Sequence, residues 1–196
     1  MEMYCEISDI ENYLLTEIDS SMETQVEQWI IGVSRLMDNL ANRKLVAPVI
    51  GSGEDFEERF YDGNGKGCMF IDDCQEIQTL EIGDQYGDNL VANVDYVVSP
   101  RIAPYAKVFL KGGCFSKGIQ NIRITGRFGY FNEIPNDIRS ACAIITAGII
   151  NATNKGNSAK KSESIGNYSV TYLDDKGFAE YDNAVRMLEL YRRIEF

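Results

Sequence analysis

The hydrophobic period changes twice along this chain, and that change limits the folds open to it. Apolar residues recur every three or four positions to about residue 45, alternate in short runs from about 46 to 131, and return to helical spacing from about 132 to 196. A helix-period segment does not rest as a strand, nor the reverse. The expectation is therefore α+β: a small helical bundle of N-terminal helices plus two C-terminal helices, with an inserted antiparallel β-subdomain. The 196 residues are read as one domain in three zones, long enough to bury a core without a disulfide or metal staple.

In the first zone Ile7, Ile10, Leu14 and Ile18 form a stripe, with Ser8 placed as N-cap. Ser20 and Glu23 have capping-box spacing before a longer stripe of Val26, Trp29, Ile30, Val33, Leu36, Met37 and Leu40. That helix is expected to stop near Arg43 and Lys44. The second zone predicts strands at Glu58–Tyr61, Cys68–Ile71, Gln78–Ile82, Val91–Val98, Ala106–Leu110 and Asn121–Arg127. Asp62-Gly63-Asn64-Gly65 supplies hairpin-turn chemistry between the first two. In the third zone Pro135, Asn136 and Asp137 open a helix whose inner face is Ile138, Ala141, Ile145, Gly148 and Ile149. A polar loop at 153–163 and an alternating run at Tyr168–Tyr172 follow. A closing helix begins near Phe178, with Tyr181, Val185, Leu188 and Tyr191 facing inward.

Composition removes several classes of chemistry. The chain has no histidine, which excludes Ser-His-Asp and Cys-His nucleophiles, His metal sites and imidazole proton shuttles. The five cysteines, Cys5, Cys68, Cys74, Cys114 and Cys142, form no C-x-x-C pair, so they read as small buried hydrophobes. Nineteen basic against 30 acidic residues leave a net charge of −11, which disfavours a protein that grips nucleic acid. No apolar run is long enough to span a bilayer, and the acidic start lacks a secretory pattern, so synthesis in a cytoplasm is expected, with no membrane partner.

The remaining motifs have plain structural readings. Gly63-Asn64-Gly65-Lys66-Gly67 lacks the Ser or Thr that a phosphate loop places after its lysine. Asp62, Asn64 and Asp73 imitate part of a calcium loop, but Lys66 occupies an oxygen-ligand position and no closing Glu follows. Asp72-Asp73, Asp72 with Glu76, and Glu133 with Asp137 are carboxylate pairs of the kind acid–base chemistry needs, but neighbours on a strand face opposite ways, and turn or cap roles are the favoured reading. No cofactor and no metal are called for. The 11 tyrosines suit protein interfaces, where a rigid ring gives contact area at low entropy cost.

The order of segments carries more information than any one of them. Phe60-Tyr61-Asp62-Gly63-Asn64-Gly65 is followed by Val97-Val98-Ser99-Pro100, then by Gly118 to Tyr130 with its Asn121-Ile122-Arg123-Ile124-Thr125 strand. Ile134-Pro135-Asn136-Asp137-Ile138-Arg139-Ser140-Ala141 and Glu163 to Tyr172 complete the series. This order resembles that of the head–tail connector (adaptor) proteins of tailed bacteriophages, over nearly the whole chain. Asn167 stands where that family has an acidic residue, and Arg127-Phe128 where it has small ones.

The resemblance implies a structural virion protein without catalytic residues, assembled in the host bacterial cytoplasm. It implies a ring of about twelve copies at the neck, between the portal ring and the stopper or tail-completion protein, with DNA passing through. Such a ring would carry roughly −130 charges, and an acidic lumen would let DNA slide. By the same analogy Tyr191, Arg192, Arg193, Ile194 and Phe196 are expected to dock on the portal. Ile165, Tyr168, Val170 and Tyr172 are expected to pair either with a neighbouring subunit or within their own chain. Competing readings are a stopper or tail-terminator, a small non-viral binding module, and a carboxylate-dependent hydrolase.

Overall fold

A computed structural model describes residues 3–51, 56–83, 88–90, 94–154, 163–165, 168–170 and 175–193. In chain order the elements are α1 (Ile7–Leu14), α2 (Glu23–Ala41), β1 (Glu57–Gly63), β2 (Cys68–Ile82), β3 (Asp88–Asn89), β4 (Tyr96–Ser99), β5 (Tyr105–Leu110) and β6 (Gly118–Phe128). They continue with α3 (Asn136–Asn154), β7 (Glu163–Ile165), β8 (Tyr168–Val170) and α4 (Asp175–Glu189). The architecture is α+β, with strands inserted between helices from both ends of the chain. Contacts divide it into two units, Met1–Asn42 with Ile134–Phe196, and Arg43–Glu133.

The helical unit is organised on α3, which packs against α1, α2 and α4. Ile138, Ala141, Cys142, Ala143, Ile145, Thr146, Ala147 and Ile150 are all buried, so the helix is covered on nearly every side. The single face expected from the sequence is too narrow. Gly148 is exposed and Ile149 half-buried, while Cys142 and Thr146 are inside. Alanines permit this, because their small side chains let three helices approach one axis. Tyr4 fastens the N-terminal segment to α2: its N–H donates to Ser34 Oγ at 3.0 Å and its hydroxyl to Asp38 Oδ1 at 2.6 Å.

Helix ends differ from expectation in instructive ways. Ser8 lies inside α1, and the cap is Glu6, whose N–H donates to Asp9 Oδ2 at 2.8 Å. The Ser20–Glu23 capping box does not form. Asp19 makes the turn instead, accepting from Ser21 N at its side chain and from Met22 N at its carbonyl, both at 2.8 Å. Helix α2 stops at Asn42 in the left-handed region (φ 51°), a role asparagine fills at low cost. Arg43, expected to end the helix, belongs to the β unit, where it pairs with Asp73 and lies over the Tyr130 ring.

The sheet has the order β1-β6-β2-β5-β4, with β3 added to β2. The two strands expected at Cys68–Ile71 and Gln78–Ile82 are one long strand that changes partner. Cys68 to Cys74 pair with β5, and Cys74 to Ile82 pair with β6 across irregularities at Cys74/Glu76 and Ile77/Thr79. Such bulges bend a strand and let it serve two ladders. Consequently β1 and β2 are not a hairpin pair, although the Asp62–Gly65 turn lies between them. The ladder partner of β1 is β6. The strand expected at Val91–Val98 is the shorter β4, and residues 91–93 lie outside the described residues. Met69, Ile71, Cys74, Leu80, Tyr96, Val108, Phe115, Ile122, Ile124 and Phe128 form the core of this unit.

Near its end β6 is held by backbone approach. Gly129 N donates to Asp73 O at 2.7 Å, and Ala47 N to Phe131 O at 2.9 Å. A Cβ on Gly129 would stand 2.2 Å from Ala47 N and 2.5 Å from Val46 C, which only backbone movement could relieve. Gly129→Ala is therefore expected to destabilise by about 1–3 kcal/mol or more. Gly112→Ala, whose added carbon meets nothing within 4 Å, should stay within about 0.5 kcal/mol. Chemical denaturation followed by circular dichroism measures both.

Candidate functional site

The C-terminal segment expected to meet a partner is partly committed to its own chain. Ala184 and Leu188 bury one side of α4. Past its end the half-buried Tyr191 donates its hydroxyl to Asp137 Oδ2, and Arg193 N donates to Ala41 O at 2.8 Å, the last residue of α2. Asp137 thus does two jobs at the start of α3, since its Oδ1 also accepts from Ile138 N at 2.9 Å. Arg192 is exposed. Ile194 and Phe196 lie outside the described residues.

An apolar surface near this anchor was not foreseen. Met187 of α4 is 39% exposed, and Leu190, just past the end of that helix, 82% exposed. Leu36 and Leu40 of α2, assigned from periodicity to the inner face, are also left more than a third exposed. The Arg193–Ala41 bond places the final turns of both helices at the same end of the unit. The signal in the sequence was the Met187–Leu190 spacing, which falls off the buried stripe defined by Ala184 and Leu188.

The run expected at 165–172 is a hairpin in the described residues. Glu163 pairs with Val170, Ser164 with Ser169 and Ile165 with Tyr168, antiparallel and within the chain. Tyr172 lies outside the described residues.

On the β unit the carboxylates are engaged by cations. Asp72 accepts from Tyr61 Oη at 3.0 Å and lies 2.8 Å from Arg59 Nη1. Asp73 faces Arg43 at 3.5 Å, Glu76 faces Arg127 at 3.9 Å, and Arg123 spans Glu58 and Glu81. The guanidinium of Arg59 lies 4.2 Å over the Phe128 ring. Burial opposes its charge, but Asp72 and Glu57 more than offset that and hold it protonated. Among the described residues no three metal-ligating side chains group together, and no helix is long and apolar enough to cross a membrane.

The loop around Asp62 and Asn64 uses its side-chain oxygens within the fold rather than turning them toward a cation. Asp62 Oδ1 accepts from Gln120 N at 2.7 Å, and Asn64 Oδ1 accepts from Lys66 N at 2.8 Å. Gly65 N donates to Phe115 O and Phe115 N to Lys66 O, both at 2.9 Å, stitching the loop to residues 111–121. The result is an ordered tip closed over the buried Phe115.

No protein-family model matches the sequence, and no curated protein matches it. Solved structures do. The chain shares its fold with a chain from the neck of an empty gene transfer agent particle computed with C6 symmetry. The TM-score is 0.58 at 10% identity, over 97% of this chain and 90% of that one. A chain from the virion of a native gene transfer agent particle matches with a TM-score of 0.57 at 10% identity, covering 96% and 89%. The likeness runs through both units and shows the fold.

The cysteines are not uniformly buried, contrary to expectation. Cys5, Cys74 and Cys142 are, Cys68 is partly covered, and Cys114 is exposed at the tip. A thiol reagent should therefore label Cys114 first, Cys68 more slowly, and the other three only on unfolding. Burial pushes the Cys74 thiol from 9.0 up to about 12 and also raises the Tyr61 phenol. Both groups stay protonated in the folded state where an unfolded chain would release the proton. The Cys74 contribution is complete below pH 9 and lost as pH rises toward 12, whereas that of Tyr61 begins to matter only above the ordinary phenol value of 10.0 and persists further into base. Urea midpoints measured from pH 7 to 11 should hold steady to about 9 and then fall, and Cys74→Ala should flatten part of that fall.

Proposed function

We propose that this chain is a connector of a phage-like particle neck, a structural subunit that joins a portal ring to the tail or stopper and lets DNA pass. The observation that carries this reading is the fold shared with a neck chain along almost the whole length of both. The order of sequence segments supports it independently, because it resembles the head–tail connectors in strand, core helix and closing helix alike. Helices at both ends favour a connector over the β-dominated stopper or terminator.

The assembly proposed is a cyclic ring of about twelve copies. A twelve-fold ring contains the six-fold symmetry with which the similar neck was computed. The excess of acid over base suits a channel wall that repels phosphate, since adhesion to DNA scales with the cations that displace its counterions. An assembled ring with a basic lumen would contradict this.

The portal-facing element is the end of the chain. Tyr191 and Arg193 tie the segment to the helical unit, and Arg192 between them is exposed. Four exposed apolar side chains of the same unit, Leu36, Leu40, Met187 and Leu190, suit a hydrophobic contact. The hairpin Glu163–Val170 offers outer edges for strand addition by a neighbour.

Removing only residues 194–196 preserves both in-chain anchors and tests docking cleanly. The truncated protein should keep its circular dichroism and denaturation midpoint yet fail to decorate the portal of the same genome in negative stain. Full decoration by the truncated protein would move the docking surface elsewhere. No decoration by the intact protein would remove the connector reading.

A further inference from the structure

One tip of this acidic chain is basic. Residues 62–67 and 111–120, stitched together at the tip of the β unit, carry Lys66, Lys111 and Lys117 against a single acid, Asp62, whose carboxylate is occupied by Gln120 N. All three lysines are exposed. Neither Lys66 nor Lys117 has an ion-pair partner among the described residues. The stem of Lys117 lies along Gly65: a Cβ there would stand 2.9 Å from Lys117 Cε. Lys66 follows Gly65 directly, so two exposed cationic side chains leave the same ordered tip with no acid paired to either among the described residues. Ile119, 87% exposed, stands beside them, next to Gln120 in the left-handed region (φ 49°).

The opposite surface is on the same chain. Between Glu6 and Glu27 lie Glu6, Asp9, Glu11, Glu17, Asp19, Glu23 and Glu27, and the first basic residue is Arg35. Glu6, Asp9, Glu11 and Asp19 hold local structure; Glu11, for example, accepts from Ile18 N at 2.8 Å. Glu17, Glu23 and Glu27 are exposed and have no ion-pair partner among the described residues. In the middle of this corner Leu15, 91% exposed, sits in the left-handed region (φ 54°), where a leucine is strained and a glycine or asparagine would not be.

We infer that the lysine tip of one copy docks on the acidic α1–α2 corner of the next, with Ile119 and Leu15 as the apolar centre of the contact. The occupant is a second copy of this chain, and the interface is head-to-tail. This rests on the ring reading and names the surfaces that would build the ring. The charges are complementary, and each patch surrounds one highly exposed apolar side chain, which is the arrangement of a small protein interface with a charged rim. DNA would satisfy the lysines equally but not Ile119, which has nothing to contact on a phosphate backbone. Two different patches on one chain generate rings or filaments rather than two-fold dimers.

The test uses charge exchange. One variant carries Lys66→Glu and Lys117→Glu, the other Glu17→Lys and Glu23→Lys. Each alone sets like charges against like at every contact, whereas a mixture pairs opposite charges at every alternate-copy contact. A carbodiimide, which joins a lysine amine to a carboxylate in direct contact, is applied to equal mixtures of light- and heavy-nitrogen protein. Mass spectrometry then reads mixed-isotope links. The parent protein should give links from Lys66 or Lys117 to Glu17, Glu23 or Glu27 of another copy, suppressed at least tenfold in 1 M salt, where screening is nearly complete. Each variant alone should lose mixed-isotope species, and the two together should regain them, in the parent sense where an unchanged tip meets an unchanged corner and reversed where both surfaces are exchanged. Circular dichroism confirms that both variants fold.

Links confined to one copy, or variants that associate as well alone as mixed, would overturn the proposal. So would loss of DNA co-sedimentation in the Lys66→Glu, Lys117→Glu variant with no inter-copy links in the parent, which would assign the tip to DNA. Portal decoration is scored separately: a protein that links between copies but ignores the portal keeps this interface and loses the connector reading.

Discussion

The burial of α3 is the constraint on which the helical unit depends. A helix covered on nearly all sides cannot be completed by its sequence neighbours alone. It needs α1 and α2 from the beginning of the chain and α4 from the end, so the unit is discontinuous and the β strands must be an insertion. This also explains why small residues matter more than large ones there. Ala141, Ala143 and Ala147 are buried beside Ile138, Ile145 and Ile150, and enlarging any of them would separate helices that meet on one axis.

The sheet depends in the same way on one strand's change of partner. Had β2 run straight, it could have paired with β1 through the Asp62–Gly65 turn as a plain hairpin. The irregularities after Cys74 turn it onto β6, and β6 lies between β2 and β1 in the ladder. Local turn chemistry was legible in the residues; the partner exchange was not, because it follows from bending over a core that no short window contains. The Val46–Phe131 bridge is likewise nonlocal.

Legibility was highest where one local interaction decides the outcome. The α3 start at Pro135–Asp137, the strand at Ile122–Thr125 and the α2 stripe through Val26, Ile30, Val33 and Met37 all follow from spacing. It was lowest where two chemistries compete for the same atoms. Ser8 and Ser20 look like caps, but carboxylates of Asp9 and Asp19 take the neighbouring N–H groups, and charge-assisted bonds are the stronger ones. At the candidate site, exposed Leu190 and the Tyr191–Asp137 bond needed coordinates, since periodicity gives a residue's angle on a helix and not what covers it.

Net charge alone hides the property that bears most on assembly. A net charge of −11 suggests a uniform acidic body, yet Lys66 and Lys117 are gathered on one tip and the first 34 residues hold no Lys or Arg at all. Contacts built from exposed charges around one apolar side chain are individually weak and fade with salt. On the proposed reading, such contacts between free subunits would be transient, open to trapping by a cross-linker, and too weak to hold a closed ring. It would form once a portal gathered many copies at fixed spacing, because a second contact made between tethered neighbours is intramolecular in effect. If the proposed connector reading holds, weak lateral contacts would be an advantage: they would keep subunits dispersed until docking, and would leave the order of assembly to the template rather than to the subunit itself.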